Sequence, residues 1–122
     1  MADRYIIVTD LNKRVRQFLR RELEAVGHLV AEARDEAELF VLLAGGRAKL
    51  VVLDPAIASQ ENPSAPGGIL ETLRREKPEL PVILHAFAGE DRADGAEPGL
   101  WINKNGDIDR LMGVVARLLA AT

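Results

Sequence analysis

The sequence contains no cysteine, which excludes disulfide bonds, catalytic thiols and metal sites built from thiolates. Aromatic residues make up only 4% of the chain, and no apolar run is long enough to span a bilayer. Residues 1–4 lead directly into a strand-like run and do not resemble a secretory signal. We therefore expect a cytoplasmic protein, because a chain without cysteine suits a reducing compartment.

An excess of basic charge is also missing. The chain has 16 Lys and Arg residues against 19 Asp and Glu residues, a net charge of -3. Because bulk attraction to nucleic acids needs a positive field, we expect neither a nucleic-acid nor a membrane partner. What is present is 48% hydrophobic residues in 122, enough for one core of ordinary size. This predicts a single domain over residues 1–122.

Short apolar runs predict five strands. Four runs are continuous and rich in β-branched residues, which is typical of strands buried on both faces of a sheet. They are residues 5–8, 50–53, 82–84 and 100–102. A fifth run, residues 29–33, includes Glu32 and suits an edge strand, since its charge would be unfavourable in the middle of a sheet.

Helical periodicity fills the segments between these strands. Asp35 can cap a second helix that ends near residue 44, a third spans residues 69–77, and Asp107 can cap the last. Residues 89–98 are polar and predict only a short or irregular fourth helix. The first helix, residues 12–26, has one apolar stripe, formed by Val15, Phe18, Leu19, Leu23 and Val26. This alternation of strands and helices predicts an α/β fold, a parallel sheet covered on both faces.

Charged residues follow three of the predicted strands at their carboxyl ends, where ligands bind in open parallel sheets. Asp54 suits a nucleophile towards phosphorus or a ligand for a hard cation, and Asp10 could share that cation. Lys104 could then pair with a phosphoryl oxygen. The alternative is purely structural, with an Asp–Lys ion pair and Asp10 as a helix cap, since structural ion pairs often imitate functional sites.

Four motifs in the sequence match the pattern of a known family. They are YIIVTD at residues 5–10, LVVLD at 50–54, LPVIL at 80–84 and WINK at 101–104. Together they resemble the receiver domain of bacterial response regulators, including the single-domain chemotaxis regulators, over residues 4–119. The resemblance implies a flavodoxin-like, doubly wound sheet of five parallel strands in the order 2-1-3-4-5.

The same resemblance assigns roles to individual residues. It implies a two-component phosphorelay in which a histidine kinase or phosphotransfer protein phosphorylates Asp54, with Lys104 contacting the phosphoryl group. Mg²⁺ would be held by Asp10, Asp54 and the backbone carbonyl of Ala56. Positions 86 and 101 correspond to the family's switch residues, here Ala86 and Trp101.

The sequence departs from the family at four places. Thr9 replaces an acidic residue, so we expect weak Mg²⁺ binding that Thr9→Asp would strengthen. Ala86 lacks the hydroxyl of the usual Thr or Ser, so the usual switch should be weak. Asn105 replaces a proline. Residues 55–68 form a longer connection than usual, which is expected to be functional or mobile.

Three functional interpretations follow. The first is a stand-alone receiver that is phosphorylated on Asp54 and signals through contacts with an unidentified protein, without being an enzyme. The second is a degenerate pseudo-receiver that binds a partner without phosphorylation, which Thr9 and Ala86 favour. The third, a small enzyme or nucleotide-binding module, is disfavoured because no G-x-G-x-x-G or P-loop motif follows a strand. His85 is read as a core histidine in preference to a catalytic one, and a homodimer is left open.

Overall fold

The computed structural model describes residues 3–58, 68–86, 101–104, 106 and 108–120, and the strands in this part form one parallel sheet. The strands are β1 (Tyr5–Thr9), β2 (Val30–Ala33), β3 (Ala48–Leu53), β4 (Val82–Ala86) and β5 (Trp101–Asn103). Their order is β2-β1-β3-β4-β5, and every neighbouring pair runs parallel. The predicted α/β class, parallel sheet and strand order are confirmed.

In the described part of the chain, helices alternate with the strands from β1 to β4, and another helix follows β5. They are α1 (Lys13–Ala25), α2 (Glu36–Ala44), α3 (Gly68–Glu76) and α4 (Ile108–Ala120), with one 3-10 turn at Pro55–Ile57. Side-chain oxygens of Asn12 and Asp35 accept backbone N–H groups at the starts of α1 and α2, which fixes where these helices begin. The predicted irregular helix at residues 89–98, the cap at Asp107, Asn105 and residues 59–67 of the long connection lie outside the described residues.

Two hydrophobic clusters cover the two faces of the sheet. Alternation along β1 sends Ile6 and Val8 to the cluster that contains α1 and α4, whereas Ile7 joins the cluster that contains α2 and α3. All three side chains are fully buried. Burial on both faces explains why the strands are continuous apolar runs without polar alternation. None of the described helices is long and apolar enough to cross a membrane.

The structure corrects the sequence analysis on the buried face of α1. Phe18 and Val26, predicted to lie on the buried stripe of α1, are 44% and 62% exposed, while Leu19 and Leu23 fill the core. The stripe is wider than the surface that the sheet covers, and Val26 already lies beyond the last helical residue.

Two glycines give a matched test of this fold. Gly113 lies inside α4, where an added Cβ would meet no atom within 4 Å, whereas Gly27 follows α1 with a φ of 95°. We expect Gly113→Ala to raise the free energy of unfolding by about 0.5–1 kcal/mol, since glycine is a poor helix former. Gly27→Ala should lower it by about 1–2 kcal/mol, because L-residues are strained at this φ. Urea denaturation measures both changes, and a destabilised Gly113→Ala protein would contradict the placement of α4.

Candidate functional site

The carboxyl edge of the sheet brings Asp10, Asp54 and Lys104 together. Asp10 directly follows β1, Asp54 follows β3 and Lys104 follows β5. Because β1 and β3 are neighbours in the sheet, the two carboxylates lie side by side, and each residue is only 2% exposed. Lys104 reaches them from the far edge strand with its long side chain. The residues singled out in the sequence therefore occupy one site.

One ammonium group contacts both carboxylates. Lys104 Nζ lies 2.7 Å from Asp10 Oδ2 and 2.6 Å from Asp54 Oδ2, and the contact with Asp54 also has hydrogen-bond geometry. Burial alone would lower the pKa of Lys104, but hydrogen bonds and the charges of both aspartates outweigh it and raise this pKa above its usual value. Lys104 is therefore a cation at neutral pH, and it offsets the repulsion between two buried anions.

The second oxygen of each carboxylate is held by the backbone that follows it. Asp10 Oδ1 accepts the N–H of Asn12 at 2.8 Å, and Asp54 Oδ1 accepts the N–H of Ala56 at 3.0 Å. Both contacts span two residues, as in an Asx turn. Pro55 opens the 3-10 turn and leaves the Ala56 contact intact. Each carboxylate therefore has one oxygen fixed by its own turn and one facing Lys104.

Thr9 is fully buried and joins β1 to β3. Its hydroxyl donates to the carbonyl of Val52 at 3.0 Å and accepts the backbone N–H of Asp54 at 2.8 Å. The resemblance to receiver domains predicts that position 9 has lost an acidic cation ligand. In the structure, the Thr9 hydroxyl faces the backbone of β3 instead.

The two positions matched to switch residues lie on β4 and β5. Ala86 is 1% exposed at the end of β4, and its carbonyl accepts the backbone N–H of Lys104 at 2.9 Å. Trp101 is half-buried and packs against the cluster that contains α2 and α3. Ala86 thus supports Lys104 through its backbone, and a switch role for either residue stays a prediction.

His85 is buried on the sheet face that α1 and α4 cover. It forms part of the wall of a largely apolar cavity of about 340 Å³, together with Val15, Phe18, Leu111 and Lys104. Burial, followed by the charge of Lys104, lowers the pKa of His85 below its usual value, although Asp10 and Asp54 oppose this shift. His85 is therefore neutral at pH 7. The prediction of a buried core histidine agrees with the structure, but its Nδ1 has no hydrogen-bond partner among the described residues.

Sequence reasoning missed the contribution of Arg16. Arg16 lies outside the apolar stripe of α1, yet its side chain is only 12% exposed. Arg16 Nη1 donates to the backbone carbonyl of Asp10 at 2.7 Å, and its Nε lies 3.3 Å from Glu32 of the edge strand. The unexpected glutamate in β2 was the available signal, since a half-buried carboxylate needs a cation nearby.

The donor atoms at this edge fit a hard cation. The described residues include no cluster of three or more His, Asp or Glu side chains suited to a metal. However, Asp10 and Asp54 already surround one cation, the Lys104 ammonium. Mg²⁺ commonly binds through one or two carboxylates and fills its remaining positions with water and phosphate oxygens. The two aspartates therefore supply the type of ligand that Mg²⁺ prefers.

Comparison with known proteins agrees with this architecture. No family model matches the sequence, and no curated protein does. The receiver domain of NtrX from Brucella abortus matches with a TM-score of 0.79 and 25% identity, over 96% of this chain and 99% of that one. Against a longer NtrX chain from the same organism, the TM-score is 0.80 at 25% identity, over 98% of this chain but 28% of that one.

A second solved structure is similar over a comparable length. CheY4 of Vibrio cholerae, a chemotaxis response regulator, matches with a TM-score of 0.75 and 15% identity, over 96% of this chain and 99% of that one. The chain has the fold of a response-regulator receiver domain. A receiver fold with Asp10, Asp54 and Lys104 at its carboxyl edge supports a response-regulator role.

The ion pairs between Lys104 and the two aspartates make a testable contribution to stability. We expect Lys104→Met to lower the free energy of unfolding by about 3 kcal/mol, because two buried carboxylates lose their counter-ion. In an Asp10→Asn background the loss should be clearly smaller, since one carboxylate remains. Urea denaturation of the four proteins forms a double-mutant cycle. An equal loss in both backgrounds would contradict the shared ion pair.

Proposed function

We propose that this receiver domain accepts a phosphoryl group on Asp54 from a phosphohistidine of a histidine kinase or phosphotransfer protein. The observation that carries the proposal is the Lys104 ammonium between the Asp54 and Asp10 carboxylates. It puts a carboxylate nucleophile next to a fixed positive charge at the edge of the sheet where ligands bind.

The proposed transfer needs little from the protein beyond position and charge. A carboxylate oxygen of Asp54 attacks phosphorus, the bond from phosphorus to the donor imidazole nitrogen breaks, and an acyl phosphate forms on Asp54. The Ala56 N–H holds the carboxylate during the attack. Lys104 supplies positive charge for the phosphoryl oxygens, on which negative charge is concentrated, and such preorganised charge is a major source of rate acceleration.

Asp10, Asp54 and the carbonyl of Ala56 are the proposed ligands of Mg²⁺. When bound, the cation would neutralise negative charge on the phosphoryl oxygens. The described geometry that supports this assignment is the pair of carboxylates around Lys104. With only two carboxylates among its proposed ligands, the site should bind Mg²⁺ more weakly than a site with three would.

The proposed partners are proteins. A phosphorylated histidine supplies the phosphoryl group, and a downstream protein recognises the modified domain by direct contact. We propose that the domain itself is a signalling module and not an enzyme. The net charge of -3 gives no support for nucleic-acid binding. A cytoplasmic location follows from the histidine kinase that the proposal requires as donor.

A second candidate function has one observation in its favour. Ala86 occupies the end of β4 with 1% exposure and has no hydroxyl with which to contact a phosphoryl oxygen. A ligand shifts a conformational equilibrium only through different interactions with the two states. A pseudo-receiver that binds its partner without phosphorylation is therefore the alternative.

Intact mass spectrometry after incubation with acetyl phosphate and Mg²⁺ separates these two functions. We expect the wild-type mass to rise by one phosphoryl group, and the gain to be absent in Asp54→Asn. Asp10→Asn should slow the labelling, because it removes a proposed cation ligand. If the wild type gains no mass under donor conditions that label a known receiver, the pseudo-receiver function is favoured. A gain that persists in Asp54→Asn would disprove the assignment of the acceptor.

A further inference from the structure

We propose that Thr9 is a positioning residue for Asp54, and not a cation ligand that this chain has lost. This inference rests on the proposed function of Asp54 as the phosphoryl acceptor. Where the family has an acidic residue at position 9, this chain has a hydroxyl that bonds to the backbone at the end of β3.

The hydroxyl of Thr9 extends the pairing of β1 and β3 beyond their last backbone contacts. The register pairs Val8 with Val52, and Thr9 continues from there with two side-chain bonds to β3. It donates to the Val52 carbonyl at 3.0 Å and accepts the Asp54 N–H at 2.8 Å. Because Thr9 is fully buried, loss of its hydroxyl would leave the Asp54 N–H without this bond and without water to replace it.

These bonds complete a set of contacts that fixes the acceptor residue. The Asp54 N–H is held by Thr9, its Oδ1 by the Ala56 N–H and its Oδ2 by Lys104. Of these three contacts, the one made by Thr9 holds the backbone of Asp54, and it comes from the neighbouring strand β1. A small displacement of an attacking group can slow a reaction by roughly 100-fold, so we expect the rate of phosphorylation to depend on this contact.

A carboxylate at position 9 would not reproduce the arrangement. If it took the place of the hydroxyl, it could accept the Asp54 N–H, but it would also face the Val52 carbonyl oxygen without a proton to donate. It would also add a third buried anion to Asp10 and Asp54. We therefore expect Thr9→Asp to destabilise the domain and to leave Mg²⁺ binding unchanged or weaker, in contrast to the gain that the family pattern predicts.

The test compares Thr9→Val, which keeps the shape but removes the hydroxyl, with Thr9→Ser, which keeps the hydroxyl. Thr72→Val is a matched control, because Thr72 is also buried and its hydroxyl bonds to the Gly68 carbonyl within α3. The measurements are amide hydrogen exchange at Asp54 and the rate of Asp54 phosphorylation across a range of acetyl phosphate concentrations.

We expect Thr9→Val to speed exchange of the Asp54 amide at least tenfold and to lower the saturating rate of phosphorylation by roughly tenfold. The acetyl phosphate concentration at half-saturation should change little in Thr9→Val. Both measurements for Thr9→Ser should stay within about twofold of wild type. Thr72→Val should change neither measurement at Asp54. A Thr9→Val protein that is phosphorylated at the wild-type rate would overturn the role of Thr9 alone. A wild type that is not phosphorylated at all would overturn the proposed function, and the positioning role with it.

Stability and Mg²⁺ affinity of Thr9→Asp form an independent arm of the test. Mg²⁺ binding is followed by the fluorescence of Trp101, the only tryptophan in the chain, or by calorimetry. Unchanged or weaker binding with a lower midpoint of urea unfolding supports the proposal. Tighter binding with unchanged stability would show that position 9 faces the cation and would overturn it.

Discussion

The site depends on the charge balance between Lys104 and two buried carboxylates. Asp10 and Asp54 are each 2% exposed at the ends of adjacent strands, where two like charges raise the energy of the folded state. Lys104 Nζ lies within 2.7 Å of one oxygen of each and offsets that repulsion. The ammonium can reach both only because the strand order places β1 and β3 together and brings β5 to the same edge. Topology and electrostatics are therefore linked at this position.

Two kinds of contact surround these charges: hydrogen bonds that involve the backbone, and ion pairs made by the long Lys104 side chain. Backbone N–H groups of Asn12 and Ala56 hold one oxygen of each aspartate, and the Thr9 hydroxyl holds the backbone of Asp54. These bonds are made within turns and between paired strands. The Lys104 ammonium can make the same charge-assisted hydrogen bond to a phosphoryl oxygen as it makes to a carboxylate oxygen. Under the proposed function, the aspartates stay in place during transfer while the ammonium moves.

Much of the fold could be predicted because its causes are local. Continuous β-branched runs indicate strands buried on both faces, and Asp35 marks the start of a helix in the sequence itself. The convergence of Asp10, Asp54 and Lys104 follows from parallel strands ending at one edge. The orientation of Thr9 could not be predicted, since its two partners are set by the register of β1 against β3. Arg16 was missed for a similar reason, because periodicity assigns a residue to a helix face but does not show which atoms a long side chain reaches.

The most direct test of the central claim is a crystal structure of the protein with Mg²⁺ and beryllofluoride, a stand-in for the phosphoryl group. We expect beryllium to be bound to a carboxylate oxygen of Asp54, with Lys104 Nζ moved from its bridging position to contact a fluorine atom. Asp10 and Thr9 should keep their contacts with the backbone of Asn12 and with β3. An unmodified Asp54 that is still bridged to Asp10 by Lys104, in crystals soaked at concentrations that modify a known receiver, would contradict it.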